Sequence, residues 1–216
     1  MPAESPSAGD LRAVVFDLGG VILDSPLPAI AAYERELGAP AGFLAQLIKS
    51  SGQDGPWARL ERGELGFGAF GTALAQQSEA AGHRMEGAEL LRRIEQAATP
   101  RPAMLAAVAR LRGAGLQVAA LTNAWDMPGR GARLTPVLER FDTVIESFRV
   151  GMRKPERRIY ALTCETLGVR PDQVLFLDDL GGNLKPARAM GMTTIKVGDP
   201  ADALSALARM TGISPG

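Results

Sequence analysis

Val174-Leu175-Phe176-Leu177-Asp178-Asp179 is the stretch that decides the fold. Four consecutive apolar residues, too short for a helix, describe a strand buried on both faces, and the run ends at two adjacent carboxylates. Two other runs end in the same way, Val14-Val15-Phe16 at Asp17 and Val118-Ala119-Ala120-Leu121 at Thr122-Asn123. In a parallel α/β sheet the carboxyl ends of neighbouring strands share one edge, and ligands bind in the crevice outside it. The three runs therefore predict an acidic pocket assembled from distant parts of the chain.

Working outward, helix and strand alternate after Pro100. Met104, Leu105, Val108 and Leu111 define an amphipathic helix that stops at Gly113-Ala114-Gly115, and a strand over Leu116 to Leu121 follows. Further pairs are a helix over Leu134 to Phe141 with a strand over Thr143 to Glu146, and a helix opened by Pro155 at its first position and ending near Gly168, followed by the Val174 strand. Asn183 to Met190 is helical with Gly191 as its cap, and Thr193 to Val197 is the last strand. This alternation predicts an α/β fold, a Rossmann-like, mostly parallel sheet with helices on both faces.

Between Pro26 and Thr99 no comparable strand occurs. The spacing there predicts helices over Pro28 to Leu37, Ala41 to Lys49, Pro56 to Arg62, Phe67 to Ala81 and Gly87 to Ala97, an all-helical insertion. Residues 11–25 and 99–216 then form the core domain and 26–98 the insertion. Residues 1–10, rich in Pro, Ser and Ala, are expected to be a disordered leader.

Composition narrows the partners. Lys plus Arg and Asp plus Glu number 24 each among 216 residues, so no cationic excess points to nucleic acid or an anionic membrane surface, and a small molecule is the expected partner. No stretch approaches the roughly 18 apolar residues of a membrane span. The single cysteine, Cys164, reads as a buried helix position and asks for no oxidising compartment. A cytoplasmic protein is expected.

Taken singly, the polar strand ends have ordinary readings: Asp17 as a turn residue, Thr122-Asn123 as a helix cap, Lys154 as a solvated helix start. Asp178-Asp179 is harder to dismiss, because adjacent carboxylates at a buried strand end repel and need a cation or hydrogen-bond donors. Mg2+ suits such an all-oxygen site, and a lysine nearby would hold both carboxylates and phosphate.

At these residues the chain resembles the haloacid dehalogenase-like hydrolase superfamily. The resemblance rests on Asp17-Leu18-Gly19-Gly20-Val21 after the first strand, Thr122 at a second strand end, Lys154 before a helix, and the pair Asp178-Asp179, all in the family order. The runs Leu121 to Trp125, Gly151 to Pro155 and Phe176 to Arg188 are similar to the amino-terminal phosphatase domain of soluble epoxide hydrolase and its free-standing bacterial relatives. The resemblance implies that residues 26–98 are a cap over a catalytic core. It further implies a Mg2+-dependent phosphatase acting on a small phosphomonoester through an aspartyl-phosphate. Asp17 would be the nucleophile. Asp17, the carbonyl of Gly19 and Asp179 would hold Mg2+, with Asp178 acting through water or by orienting a ligand. Thr122, the amide of Asn123 and Lys154 would bind the phosphate oxygens, with Lys154 also catalytic, and Asn183 would brace the acidic loop.

One position departs from the family pattern. Active phosphatases of the family usually carry a second Asp two residues after the nucleophile, which protonates the leaving oxygen; here that position is Gly19. General acid–base help contributes ~10²–10⁴ in rate. A metal-independent dehalogenase, or a non-catalytic phosphate-ligand binder or regulatory protein, therefore stand as alternatives. Asp24, in the resemblance, falls at the cap hinge. Substrate choice is expected from the cap, with the Gly52-Gln53-Asp54-Gly55 turn, Trp57 and Arg59 as candidates. His83 reads as a surface residue, and Gly129-Arg130-Gly131 as a loop within reach of a phosphate or simply a flexible connection.

Overall fold

The computed structural model describes residues 11–214; the expected leader lies outside them. Its centre is a sheet of β1 (Ala13–Phe16), β2 (Gln117–Thr122), β3 (Thr143–Glu146), β4 (Val174–Asp178) and β5 (Thr193–Lys196), in the order β3-β2-β1-β4-β5. Every adjacent pair is parallel. Successive side chains on a strand face opposite ways, and both sets are buried. Val14 and Phe16 pack with Val118, Ala120, Leu175 and Leu177 on one face, whereas Ala13 and Val15 pack with Ala119, Leu121 and Phe176 on the other. That is why these strands read as unbroken apolar runs.

Helices α6 (Pro102–Gly113), α7 (Arg130–Leu138) and α11 (Pro200–Thr211) cover the first face through Met104, Val108, Leu111, Leu134, Val137, Ala203 and Leu207. The second is covered by α9 (Arg157–Leu167) and α10 (Gly181–Ala189) through Ile159, Tyr160, Cys164, Leu167, Leu184 and Ala187. Cys164 is buried, as expected.

The segment before α6 holds α1 (Leu27–Glu36), α2 (Phe43–Ser51), α3 (Pro56–Glu61), α4 (Phe67–Ala80) and α5 (Gly87–Ala97). These pack around a separate apolar cluster that includes Tyr33, Phe43, Leu60, Phe70, Met85 and Leu90. This is the layer expected as the cap. Its two connections to the sheet run side by side: Asp24 N–H donates to Thr99 O at 2.8 Å, Arg101 N–H to Ile22 O at 2.8 Å, and Arg101 Nε lies 3.1 Å from Asp24 Oδ1. Among the described residues, no helix is long and apolar enough to cross a membrane.

Three expectations need correction. Helix α7 begins at Arg130 and ends at Leu138, not Leu134 to Phe141; Gly129, with φ 81°, turns the chain directly into it, so the Gly-Arg-Gly segment is a helix start. Pro155 is not the first position of α9, which opens at Arg157 after Glu156, because both backbone polar groups of Lys154 bond elsewhere. Two helices went unforeseen. The short α8 (Ser147–Val150) carries no strong signal. Helix α11 does: Asp199 caps it, accepting from Ala201 N and Asp202 N at 2.8 and 3.3 Å, Pro200 follows at the first helical position, and Gly212 closes it at φ 71°.

Candidate active site

The parallel register brings the ends of β1, β2 and β4 to one edge. Asp17 follows β1, where its N–H donates to Leu177 O at 2.8 Å and Leu18 N–H returns to Asp17 Oδ1 at 2.7 Å. The next two glycines are not equivalent. Gly20 has φ +74°, and a Cβ there would collide with the Asp179 carboxylate, so only glycine lets the loop approach this acid. Gly19 is outside the left-handed region, and a Cβ on it would meet only Pro26 Cδ at 3.9 Å.

Asp178 is fully buried and heavily bonded. Its Oδ1 accepts from Leu180 N at 2.8 Å, its Oδ2 from Lys154 Nζ at 2.7 Å, and the Asn183 amide donates to both oxygens at 3.0 Å. Both oxygens are thus engaged within the protein. Lys154, itself 1% exposed, also lies 2.9 Å from Asp17 Oδ1. One ammonium therefore sits between two acids. Asp179 is half-buried beside them.

The electrostatics are those of a crowded acidic site. Burial pushes the Asp17 carboxyl up to about 7, reinforced by Asp178 and Asp179 and opposed by Lys154. Burial and Asp178 also raise Asp179. Burial alone would lower the Lys154 ammonium, but Asp17 and Asp178 outweigh it and hold it raised. Asp17, Asp178 and Asp179 each present a carboxylate oxygen within 4.8 Å of the others. A set of three hard oxygen donors that resist joint ionisation suits a divalent cation, and Mg2+ in particular favours such donors.

Thr122 is buried at the end of β2. Asn123 does more than the expected contribution of a backbone amide. Its Oδ1 accepts from Lys154 N at 2.8 Å and its Nδ2 donates to Lys154 O at 3.0 Å, so one side chain holds the Lys154 backbone at both polar groups. Ala124 is fixed in turn by Ser147, whose Oγ accepts from Ala124 N at 2.9 Å.

These groups form one end of a cavity of about 600 Å³ between the sheet edge and the helical layer. Asp17, Thr122, Asn123, Lys154, Asp179 and Asn183 line the polar end, and Leu27, Ile30, Leu44, Ile48, Trp57 and Trp125 give the remainder an apolar wall. Trp57 is therefore on the cavity, in edge-to-face contact with Trp125 at 5.8 Å. The other cap candidates are not. Arg59 is exposed and pairs with Glu64 at 3.7 Å, and the residues from Gly52 to Gly55 do not line the cavity. Asp24 lines it but is bound to Arg101 at the hinge. His83 is half-buried, edge-on to Phe43 at 5.3 Å.

Four residues at this site have contacts that the sequence did not indicate. Glu34 is buried and accepts from Gly42 N and Leu44 N at 2.9 Å each, tying α1 to the start of α2. Glu61 and Arg153 form an ion pair across the cavity wall. Trp125, from the sheet domain, packs into the apolar cluster of the cap; its indole N–H is the buried side-chain donor without a hydrogen-bond partner among the described residues. The partners of Glu61 and Trp125 lie far along the chain, and those of Glu34 lie in the next helix start, so no helical or strand periodicity announces them.

Comparison with known proteins places these features. Residues 11–191 match the family model of the haloacid dehalogenase-like hydrolases. The chain is 39% identical to bifunctional epoxide hydrolase 2 of Sus scrofa over 94% of its own length, and spans 39% of that longer protein. It is 27% identical to (S)-2-haloacid dehalogenase 1 of Pseudomonas sp. (strain CBS-3), covering 87% of this chain and 84% of that enzyme. A HAD family enzyme from Bacteroides thetaiotaomicron, solved as a magnesium complex, shares the fold with a TM-score of 0.68 at 22% identity, over 93% of this chain and 99% of that one.

Proposed function

The chain belongs to the haloacid dehalogenase-like hydrolase family, and we propose that within it the protein is a Mg2+-dependent phosphatase for a phosphomonoester with an apolar organic group. The observation that carries this reading is the clustering of Asp17, Asp178 and Asp179, with Lys154 between Asp17 and Asp178 and with Asp17, Lys154 and Asp179 lining the polar end of a largely apolar cavity. Phosphate would occupy the polar end and the organic group the walls around Trp57. The buried single cysteine and balanced charge support a cytoplasmic setting with a small-molecule substrate.

Asp17, Asp179 and the carbonyl of Gly19 would hold Mg2+, which when bound supplies charge neutralisation between the nucleophile and the phosphate. Asp17 then attacks phosphorus. An Oδ–P bond forms, the P–O bond to the organic group breaks, and the leaving alkoxide takes a proton from water. Water cleaves the aspartyl-phosphate in the second step, releasing inorganic phosphate and restoring Asp17. Lys154 and Thr122 bind the oxygens on which transition-state charge gathers. Gly19 supplies no acid for the leaving oxygen, so substrates with good leaving groups are favoured.

The second reading is a metal-independent dehalogenase, in which Asp17 would displace halide from carbon. Gly19 and the dehalogenase relative favour it; the retained Asp178-Asp179 pair favours the phosphatase. A non-catalytic phosphate binder is the third. The deciding experiment is release of inorganic phosphate from a panel of aryl and alkyl phosphates, with Mg2+ and with EDTA, alongside halide release from 2-haloacids. Mg2+-dependent phosphate release supports the proposal. Metal-independent halide release, or phosphate binding without turnover, replaces it.

A further inference from the structure

Glu61 ends α3 in the cap and is 5% exposed. Three donors converge on its carboxylate: the Trp57 indole N–H on Oε1 at 2.9 Å, the Asn123 amide on Oε2 at 3.2 Å, and Arg153 Nε, also on Oε2. Trp57 belongs to the cap, whereas Asn123 and Arg153 belong to loops of the sheet domain. Surrounded by donors alone, Glu61 acts as an ionised acceptor, since a protonated carboxyl would have to turn its own donor against one of them. Burial holds this carboxyl above its usual value, opposed but not cancelled by Arg153 and Trp57.

Its partners lead straight to the catalytic loop. Asn123 holds the backbone N–H and C=O of Lys154 at 2.8 and 3.0 Å, Arg153 is the neighbouring residue, and Lys154 Nζ contacts Asp17 and Asp178 at 2.9 and 2.7 Å. An apolar tie runs in parallel: Trp125, two residues beyond Asn123, is packed in the cap cluster against Trp57. We infer that Glu61 is a positioning residue that couples the seating of the cap to the placement of Lys154, acting through Asn123 and Arg153. Closing the Trp57 wall over the cavity and setting the cation beside Asp17 are thereby one event. The effect on turnover rests on the phosphatase reading; the mechanical coupling does not.

The test combines amide hydrogen exchange with steady-state kinetics on the full chain. Glu61→Gln keeps the shape of the side chain but cannot accept on both sides, and Glu61→Ala removes it. Arg59→Ala, on the same helix in an exposed ion pair, is the control. Both Glu61 variants should exchange faster at residues 122–125 and 151–156. With Mg2+ and an aryl phosphate, kcat should fall by about 10- to 100-fold, the scale expected when a reacting group is misplaced, with KM little changed. The Arg59 variant should match wild type in both measurements. A folded Glu61→Gln protein with wild-type exchange in both loops overturns the inference, because a role in space filling alone survives that substitution. If the wild-type protein releases no phosphate, the proposed activity fails while the exchange comparison still decides the role of Glu61.

Discussion

Lys154 Nζ lies 2.9 Å from Asp17 Oδ1, joining a lysine in the loop before α9 to the acid that follows β1. The ammonium is nearly inaccessible to solvent and shares its charge with Asp178. It holds the acidic edge together, and in the proposed phosphatase it would also meet the phosphate oxygens. Removing charge from this cluster should therefore have different consequences at each position.

At Asp17, substitution by Asn removes the nucleophile but keeps the shape. Asp17→Asn should lower phosphate release by more than about 10³-fold while the circular dichroism spectrum and cap packing stay unchanged. Turnover close to wild type would place the nucleophile elsewhere.

The adjacent acids should separate into two roles. Asp178 accepts from Lys154, Leu180 and Asn183, so Asp178→Asn should cost about 3–5 kcal/mol in denaturant unfolding by leaving a buried ammonium poorly paired. Asp179 is half-buried and faces the Gly20 turn. Asp179→Asn should spare stability and weaken Mg2+ binding, read by calorimetry, more than Asp178→Asn does in whatever fraction remains folded. Equal loss of Mg2+ affinity in both would contradict this division.

Gly19 and Gly20 offer a sharper contrast. A side chain fits at Gly19, so Gly19→Asp should fold normally and raise turnover of alkyl phosphates by up to ~10²-fold, with a much smaller gain for activated aryl phosphates. Gly20→Ala meets both a left-handed backbone and the Asp179 carboxylate. It should cost at least about 1–2 kcal/mol and weaken Mg2+ binding. A uniform gain across leaving groups for Gly19→Asp would show that proton transfer is solved in another way.

Stability of the metal-free protein should depend on pH through Asp17. Its carboxyl is held at about 7 in the folded protein against 3.8 for the ordinary group, so between these values the folded state keeps a proton that the unfolded chain has released. This contribution is fully present below 3.8 and is lost as pH rises through about 7. Melting temperature in EDTA should decline from pH 5 to pH 8, and Asp17→Asn should flatten that decline. Mg2+ should raise the melting temperature more at pH 8 than at pH 5.5, because the cation replaces the proton. A Mg2+ effect independent of pH would argue against binding at Asp17.

The sequence by itself determined the sheet, because strands buried on both faces must be apolar throughout and their polar ends then stand out: Asp17, Thr122, Asp178 and Asp179 were all legible in this way. It also determined the helical insertion, with each of its five helices read to within a few residues from periodicity and the placing of Gly and Pro. Local signals misled where a neighbour supplied the deciding bond. Pro155 looked like a helix start, but Asn123 holds the backbone just before it. The signals of α11 are local, in Asp199, Pro200 and Gly212. Only the tertiary structure decided what Glu61 does, for two of its three partners, Asn123 and Arg153, lie 62 and 92 residues away. The same holds for the cavity wall shared by Trp57 and Trp125 and for the difference between Gly19 and Gly20. Periodicity reports which face of an element avoids water; which distant group meets that face depends on how the elements pack, and no local pattern records it.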